Sequence, residues 1–218
     1  MVRFLAVLLL AGASVNGQTM TQSLSNQVVL VRYDFEGGWG PALVAAGIGA
    51  TEWATTANRI DYVGGGGNPG GAAVARSWMS WNRDDGKYFS FEISNTSSSN
   101  FTLEELRFDI SNSPPGIGPQ GWALVSSGDN FNTDLAAGTL EFAFAPWRTI
   151  SAPLAMTVVP MGKVEFRLLG WGANAAFPQG GHLHVDNVYL YGIPEPSSLS
   201  LLLAGGAAFA AARRRKLD

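Results

Sequence analysis

The chain has 218 residues, no cysteine and a formal net charge of −3, from 14 Lys and Arg against 17 Asp and Glu. Lack of cysteine excludes disulfides and lipid attachment at an N-terminal cysteine; the charge balance excludes a nucleic-acid-binding role, which needs clustered positive charge on the folded domain. With 27 glycines, 11 prolines, 7 tryptophans and only 14% charged residues, the composition points to β structure with many turns.

The first element in chain order is a targeting segment. Met1-Val2-Arg3 supplies a positive charge, Phe4 to Ala11 an apolar core, and small residues follow. That is the layout of a secretory signal peptide over residues 1–17, helical in its apolar part, with cleavage after Gly17 or after Ala13. Residues 18–193 then form one domain, long enough to bury a real core.

Within that domain period-two alternation recurs. Val28 to Phe35 and Ala72 to Met79 are the first strand candidates. In Tyr88 to Ser94, Phe89, Phe91 and Ile93 share a face opposite Tyr88, Ser90 and Glu92. In Glu104 to Ile110, Leu106, Phe108 and Ile110 alternate with Glu105, Arg107 and Asp109. Trp122 to Ser126 follows, then Leu140, Phe142 and Phe144 around Glu141. Val164, Phe166 and Leu168 alternate with Lys163, Glu165 and Arg167, and Leu183 to Tyr191 closes the series. One apolar and one polar face mark half-buried antiparallel strands. Turn chemistry separates them at Asp84-Asp85-Gly86, Ser113 to Gly116, Ser127-Gly128-Asp129 and Gln179-Gly180-Gly181. Gly64 to Gly71 is expected to be a longer flexible loop. Eight to eleven short strands predict an all-β fold, an antiparallel two-sheet sandwich of jelly-roll type.

The last element, residues 194–218, has three parts. Pro194 and Pro196 flank Glu195 and block helix, which makes Pro194-Glu195-Pro196 an extended strip. Leu199 to Ala212 is an uncharged apolar run, about 21 Å long as a helix at 1.5 Å per residue, against a bilayer core of about 30 Å. Arg213, Arg214, Arg215 and Lys216 form a basic stop that stays cytoplasmic. Arg3 and these four hold five of the positive charges, and Glu195 and Asp218 two of the negative, so residues 18–193 carry about −6.

Motif, apolar helix, basic cluster and position together resemble the PEP-CTERM sorting signal of exported Gram-negative proteins. The resemblance implies that an exosortase, an intramembrane cysteine protease, recognises Pro194-Glu195-Pro196 and removes the helix. It also implies use of the general secretion machinery, transient anchoring in the inner membrane, and delivery to the cell surface or an exopolysaccharide matrix. Residues 86–192 are similar to a domain recurrent among such exported proteins, through Phe89-Ser90-Phe91, Leu103 to Asp109, Gly118 to Leu124, Ser126 to Phe131, Val164 to Arg167 and Val185 to Val188.

Candidate sites are few. Asp34-Phe35-Glu36 and Asp186 lie on the first and last strands, which tend to be neighbours in a jelly roll, and hard oxygen ligands suit Ca²⁺. Their placement resembles the structural calcium site of jelly-roll carbohydrate-binding modules, and by that resemblance Glu36 and Asp186, with Asp34, would be ligands. His182 and His184 share a strand face with Asp186, a spacing open to a transition metal or to plain surface polarity. Trp81 and Trp171 are candidates for stacking on a glycan. No nucleophile elbow, His-Glu-x-x-His helix or phosphate loop occurs. The sequence thus predicts an exported, non-enzymatic surface or matrix protein. The alternatives are a carbohydrate-binding module with structural calcium, and a secreted hydrolase using two carboxylates.

Overall fold

The computed structural model describes residues 27–67, 70–76, 86–112, 118–140, 147–172 and 181–194. The expected signal helix (1–17), the apolar tail helix, the basic cluster, Glu195, Pro196 and Trp81 lie outside the described residues. The chain is all-β: two antiparallel sheets face each other across one core. In chain order the strands are β1 (Val28–Tyr33), β2 (Leu43–Val44), β3 (Ile48–Ala50), β4 (Ala54–Thr55), β5 (Asn58–Gly67), β6 (Gly70–Arg76), β7 (Tyr88–Asn95), β8 (Phe101–Asn112), β9 (Gly121–Ser126), β10 (Ala136–Thr139), β11 (Arg148–Val158), β12 (Lys163–Trp171) and β13 (His182–Pro194). Among the described residues a 3-10 turn, Ser127–Asp129, follows β9.

A seven-stranded sheet runs β11-β8-β13-β1-β2, with the β5–β6 hairpin joined to β13; a six-stranded sheet runs β10-β9-β12-β7-β3, with β4 also on β7. First and last strands are neighbours, as the jelly-roll reading expects: Val28 pairs with Gly192 and Tyr33 with Val188. The alternation read from the sequence is the packing pattern. Along β7, Phe89, Phe91 and Ile93 are buried, and along β12 Val164, Phe166 and Leu168 are. Tyr33, Phe35, Trp53, Phe89, Phe91 and Phe166 make a chain of ring contacts between the sheets, with Phe91 stacked 4.9 Å from Trp53 and 5.3 Å from Phe166. Burial of each such ring contributes about 2–3 kcal/mol, and offset or edge-on pairing adds to it.

Two points differ from expectation. The glycine run is not a long loop: β5 continues through Gly67, which pairs with Gly70 at the head of β6. Extended backbone needs no side chain, so glycines pair as long as the hairpin partner holds them. β11, which the sequence reading lacks, is an eleven-residue strand that contains Pro153. It sits at the sheet edge, where proline's missing N–H breaks no ladder. The strand expected around Glu141 falls on residues 141–146, outside the described residues; a short strand that the sequence does not signal, Ala136–Thr139, precedes it.

Candidate functional site

The outer face of the seven-stranded sheet concentrates aromatic and hydrogen-bonding side chains. The registers align them in rows across strands. Ser151, Arg107, Tyr189 and Arg32 form one row; Pro153, Glu105 and Tyr191 form the next; Thr149, Asp109 and Asp186 form a third. Tyr189 and Tyr191, two apart on β13, place their rings 6.2 Å apart at an interplanar angle of 20°. The Arg107 guanidinium lies 5.4 Å from the Tyr191 ring centre and donates to Glu105 Oε1 at 3.1 Å. That oxygen also accepts from Ser151 Oγ at 2.7 Å. The result is a nearly parallel tyrosine pair bordered by fixed donors and acceptors, chemistry suited to the apolar face and rim hydroxyls of a sugar. From sequence alone, only tryptophans stand out as stacking candidates. The signal for Tyr189 and Tyr191 was their spacing of two on a strand, which gains meaning once the register brings Arg107 and Glu105 alongside.

A second feature lies on the same face, where β13 changes partner. His182–Val185 pair with β6, and Val188–Gly192 with β1. Between them the register with β8 slips, and Asn187 takes φ 47°. Phe35, two residues beyond β1, takes φ 54°. Left-handed conformations at two non-glycine residues cost on the order of 1 kcal/mol each or more, so packing must hold this corner. Asp186 and Asp109 stand opposite each other in register, and both are buried. Asp109 accepts from Thr149 Oγ1 at 2.6 Å and Asn187 Nδ2 at 2.9 Å, and Asp186 Oδ1 accepts from the Asn187 amide at 2.7 Å. Asp34 is held by Arg32 at 2.9 Å, and its other oxygen accepts weakly from the Glu36 amide. Asp34 and Glu36 follow directly on β1 and so leave it on the side where Asp186 sits; Asp186 is buried, Glu36 exposed. Among the described residues no group of three or more His, Asp or Glu side chains gathers as metal ligands. A calcium ion here would draw on main-chain carbonyls beside the acids.

His182 and His184 stand with ring centres 5.8 Å apart, and Trp147 lies 6.1 Å from His184. Burial, with the neighbouring His182 adding, pushes the His184 imidazole down to about 4. Trp171 lies on the outer face of the six-stranded sheet, its indole against the backbone of Gly121, where any Cβ would collide with the ring. Four residues earlier on β12, Arg167 is held between Phe131 at 3.7 Å and Tyr88 at 4.5 Å, and Glu165 accepts from its Nε at 2.7 Å. That hydrogen bond raises the guanidinium's pKa. Trp39, Trp53 and Trp122 belong to the core.

The last strand leads directly into the C-terminal motif. Gly192, Ile193 and Pro194 are still paired in β13, opposite Leu103, Thr102 and Phe101. Residues 192–216 match the family model of the PEP-CTERM protein-sorting motif. The chain carries a PEP-CTERM sorting motif. It is therefore an exported protein, sorted to the cell envelope through that motif. No curated protein matches the chain. Among solved structures, similarity extends to a cleaved adhesin domain of Lys-gingipain from Porphyromonas gingivalis (15% identity, 75% of this chain and 98% of that one, TM-score 0.43). A xylan-binding domain from Paenibacillus barcinonensis is similar over 78% of this chain and 97% of its own (10% identity, TM-score 0.43). A putative sugar binding protein from Bacteroides thetaiotaomicron is similar over 65% and 88% (11% identity, TM-score 0.40). Among the described residues no helix is long and apolar enough to cross a membrane.

Proposed function

We propose that this is a non-enzymatic β-sandwich of the cell surface or extracellular matrix, directed across the membrane by residues 1–17. In this reading an exosortase then processes residues 194–218 at Pro194-Glu195-Pro196. The observation that carries it is the sorting motif joined to the end of β13, with no intervening domain. Mass spectrometry of the surface-delivered protein tests it. The expected mature form lacks Arg213 to Asp218; a surface form with that segment intact overturns the processing.

A second reading is favoured by the Tyr189–Tyr191 pair with Arg107 and Glu105 beside it. In it the outer face of the seven-stranded sheet binds polysaccharide of the surrounding matrix. Pull-down on exopolysaccharide should retain the protein and lose it on Tyr191→Ala. Equal retention of the variant, or no retention of the native chain, overturns the reading. Calcium at the Asp34, Glu36 and Asp186 corner belongs to the same proposal. Removal of calcium with EDTA should lower the melting temperature and added Ca²⁺ restore it, because an ion bound only by the folded state stabilises that state.

A further inference from the structure

The end of the sandwich from which the tail leaves is built differently from its sides. Phe101, at the head of β8, pairs with Val158 on one side and with Pro194 on the other. At about 4.8 Å per strand, the tail's exit point and the β11–β12 turn are about 10 Å apart. That turn is Val159-Pro160-Met161-Gly162. Met161 is 84% exposed and Val159 55%, and Val28, opposite Gly192, is 44% exposed. Between Pro194 and Leu199, where the apolar run begins, stand only Glu195, Pro196, Ser197 and Ser198. Five steps of extended chain span at most about 17 Å. Once the tail is inserted, this end of the folded domain is held within about 17 Å of the point where the apolar run begins.

The residues at this end suit that contact. Residues 27–31, 43–50, 95–101, 157–162 and 192–194 contain no Asp, Glu, Lys or Arg. A recess of about 250 Å³ between Ala45–Ile48 and Ser97–Phe101 is likewise lined without charge. Nor is the exposed turn slack. Met161 holds φ 62°, a conformation an L side chain rarely adopts. Its amide donates to the Asn95 carbonyl at 3.0 Å, and the Asn95 amide donates to the Gly162 carbonyl at 2.9 Å. Asn95, itself buried, donates from Nδ2 to the Val158 carbonyl at 2.8 Å. An unfavourable backbone conformation is thus locked in place to point an apolar side chain into solvent. We infer that this end of the sandwich is a membrane-docking surface: Val159 and Met161 enter the interfacial layer of a phospholipid bilayer while the sorting tail is inserted. It holds the end of β13, where the sorting tail begins, at the membrane surface. The inference rests on insertion of the tail, and docking should end when the tail is removed.

The absence of cysteine allows a direct test with single labels on the full chain. Met161→Cys, Val159→Cys, Gly37→Cys and Ala207→Cys are each coupled to an environment-sensitive fluorophore. Each is reconstituted in vesicles of phosphatidylethanolamine and phosphatidylglycerol that carry a headgroup-level nitroxide lipid. Gly37 is the far-end control, with open space for a side chain. Ala207 reports tail insertion. The expected result is quenching at 161 and 159 about threefold or more above that at 37, with a blue-shifted, membrane-buried signal at 207. A buried label at 207 with 161 and 159 quenched no more than 37 overturns docking and leaves the sorting tail standing. A solvent-like label at 207 overturns insertion, and docking with it.

Discussion

Asn95 holds Val158 from beneath: its side-chain amide, buried under the β11–β12 turn, donates to the Val158 carbonyl at 2.8 Å. The same Nδ2 donates to the Ser99 carbonyl at 2.8 Å, and Oδ1 accepts from the Ser97 amide and hydroxyl at 2.9 and 2.7 Å. One side chain therefore ties the end of β11 to the loop between β7 and β8. Replacement by Leu takes this partner from the buried Val158 carbonyl and the part-buried Ser97 amide, while the Ser99 carbonyl keeps the Ser97 hydroxyl. Each such loss costs about 1–3 kcal/mol, so Asn95→Leu should lower unfolding free energy by about 3 kcal/mol or more in urea titration. A loss under about 1 kcal/mol would show that water replaces Asn95 freely.

Met161 gives the opposite sign. Its φ of 62° suits glycine, and the side chain is almost fully exposed. Met161→Gly should therefore stabilise the isolated fold, by about 0.5–1 kcal/mol, or at least cost nothing despite the greater freedom of glycine when unfolded. Thermal melts of the two forms without lipid decide this. Clear destabilisation would mean that Met161 packs on something in the folded state. The same variant should lose vesicle docking, which separates the side chain's contribution to the fold from its contribution to the surface.

Much of this molecule is legible in the sequence where one rule dominates. β7 and β12 alternate strictly, and their buried faces follow from period two alone. β11 hides because Pro153 argues against a strand, and only its edge position, a property of the whole sheet, makes proline harmless. β6 is read in part, as the strand from Ala72, but its partner β5 hides because the glycines that end it carry no periodic signal. Site reading fails for a related reason. Tyr189 and Tyr191 look like ordinary half-buried strand residues until cross-strand register sets Arg107 and Glu105 beside them. Asp186 does attract notice in the sequence. Its partner Asp109 looks like one more polar position on an outward face, since no sequence pattern shows that β8 and β13 bring the two together.

The His184 imidazole makes a pH prediction. Burial and His182 push it down to about 4 in the folded protein, against about 6.5 in an unfolded chain. Between those values the unfolded chain binds the proton and the folded one does not. Stability thus rises with pH across the interval, is fully present above about 6.5, and is lost as pH falls toward 4, by on the order of 2–3 kcal/mol. Melting temperature should fall on acidification from pH 7 to 5, and His184→Gln should flatten that part of the profile. An unchanged profile in the variant would assign the dependence to other groups.

Gly192 opens the sorting motif and is still a strand residue, at a slip in register between Tyr191 and its successor. A Cβ at this position would meet the Thr102 carbonyl oxygen on β8 and, at 2.6 Å, Leu30 Cδ1 on β1. The first of these is backbone and has no rotamer to yield. Gly192→Ala must therefore part β13 from β8 beside the start of the tail, at a cost of about 1–3 kcal/mol. The variant should melt lower while Pro194-Glu195-Pro196 stays chemically intact. If an exosortase needs only the Pro194-Glu195-Pro196 sequence, processing in the export host should continue at the native rate. If the folded end must present the motif at the membrane, processing should slow although no motif residue has changed. A processing assay run beside a melt separates these outcomes. Slowed processing in a variant still folded at the assay temperature would show that the sandwich takes part in its own sorting.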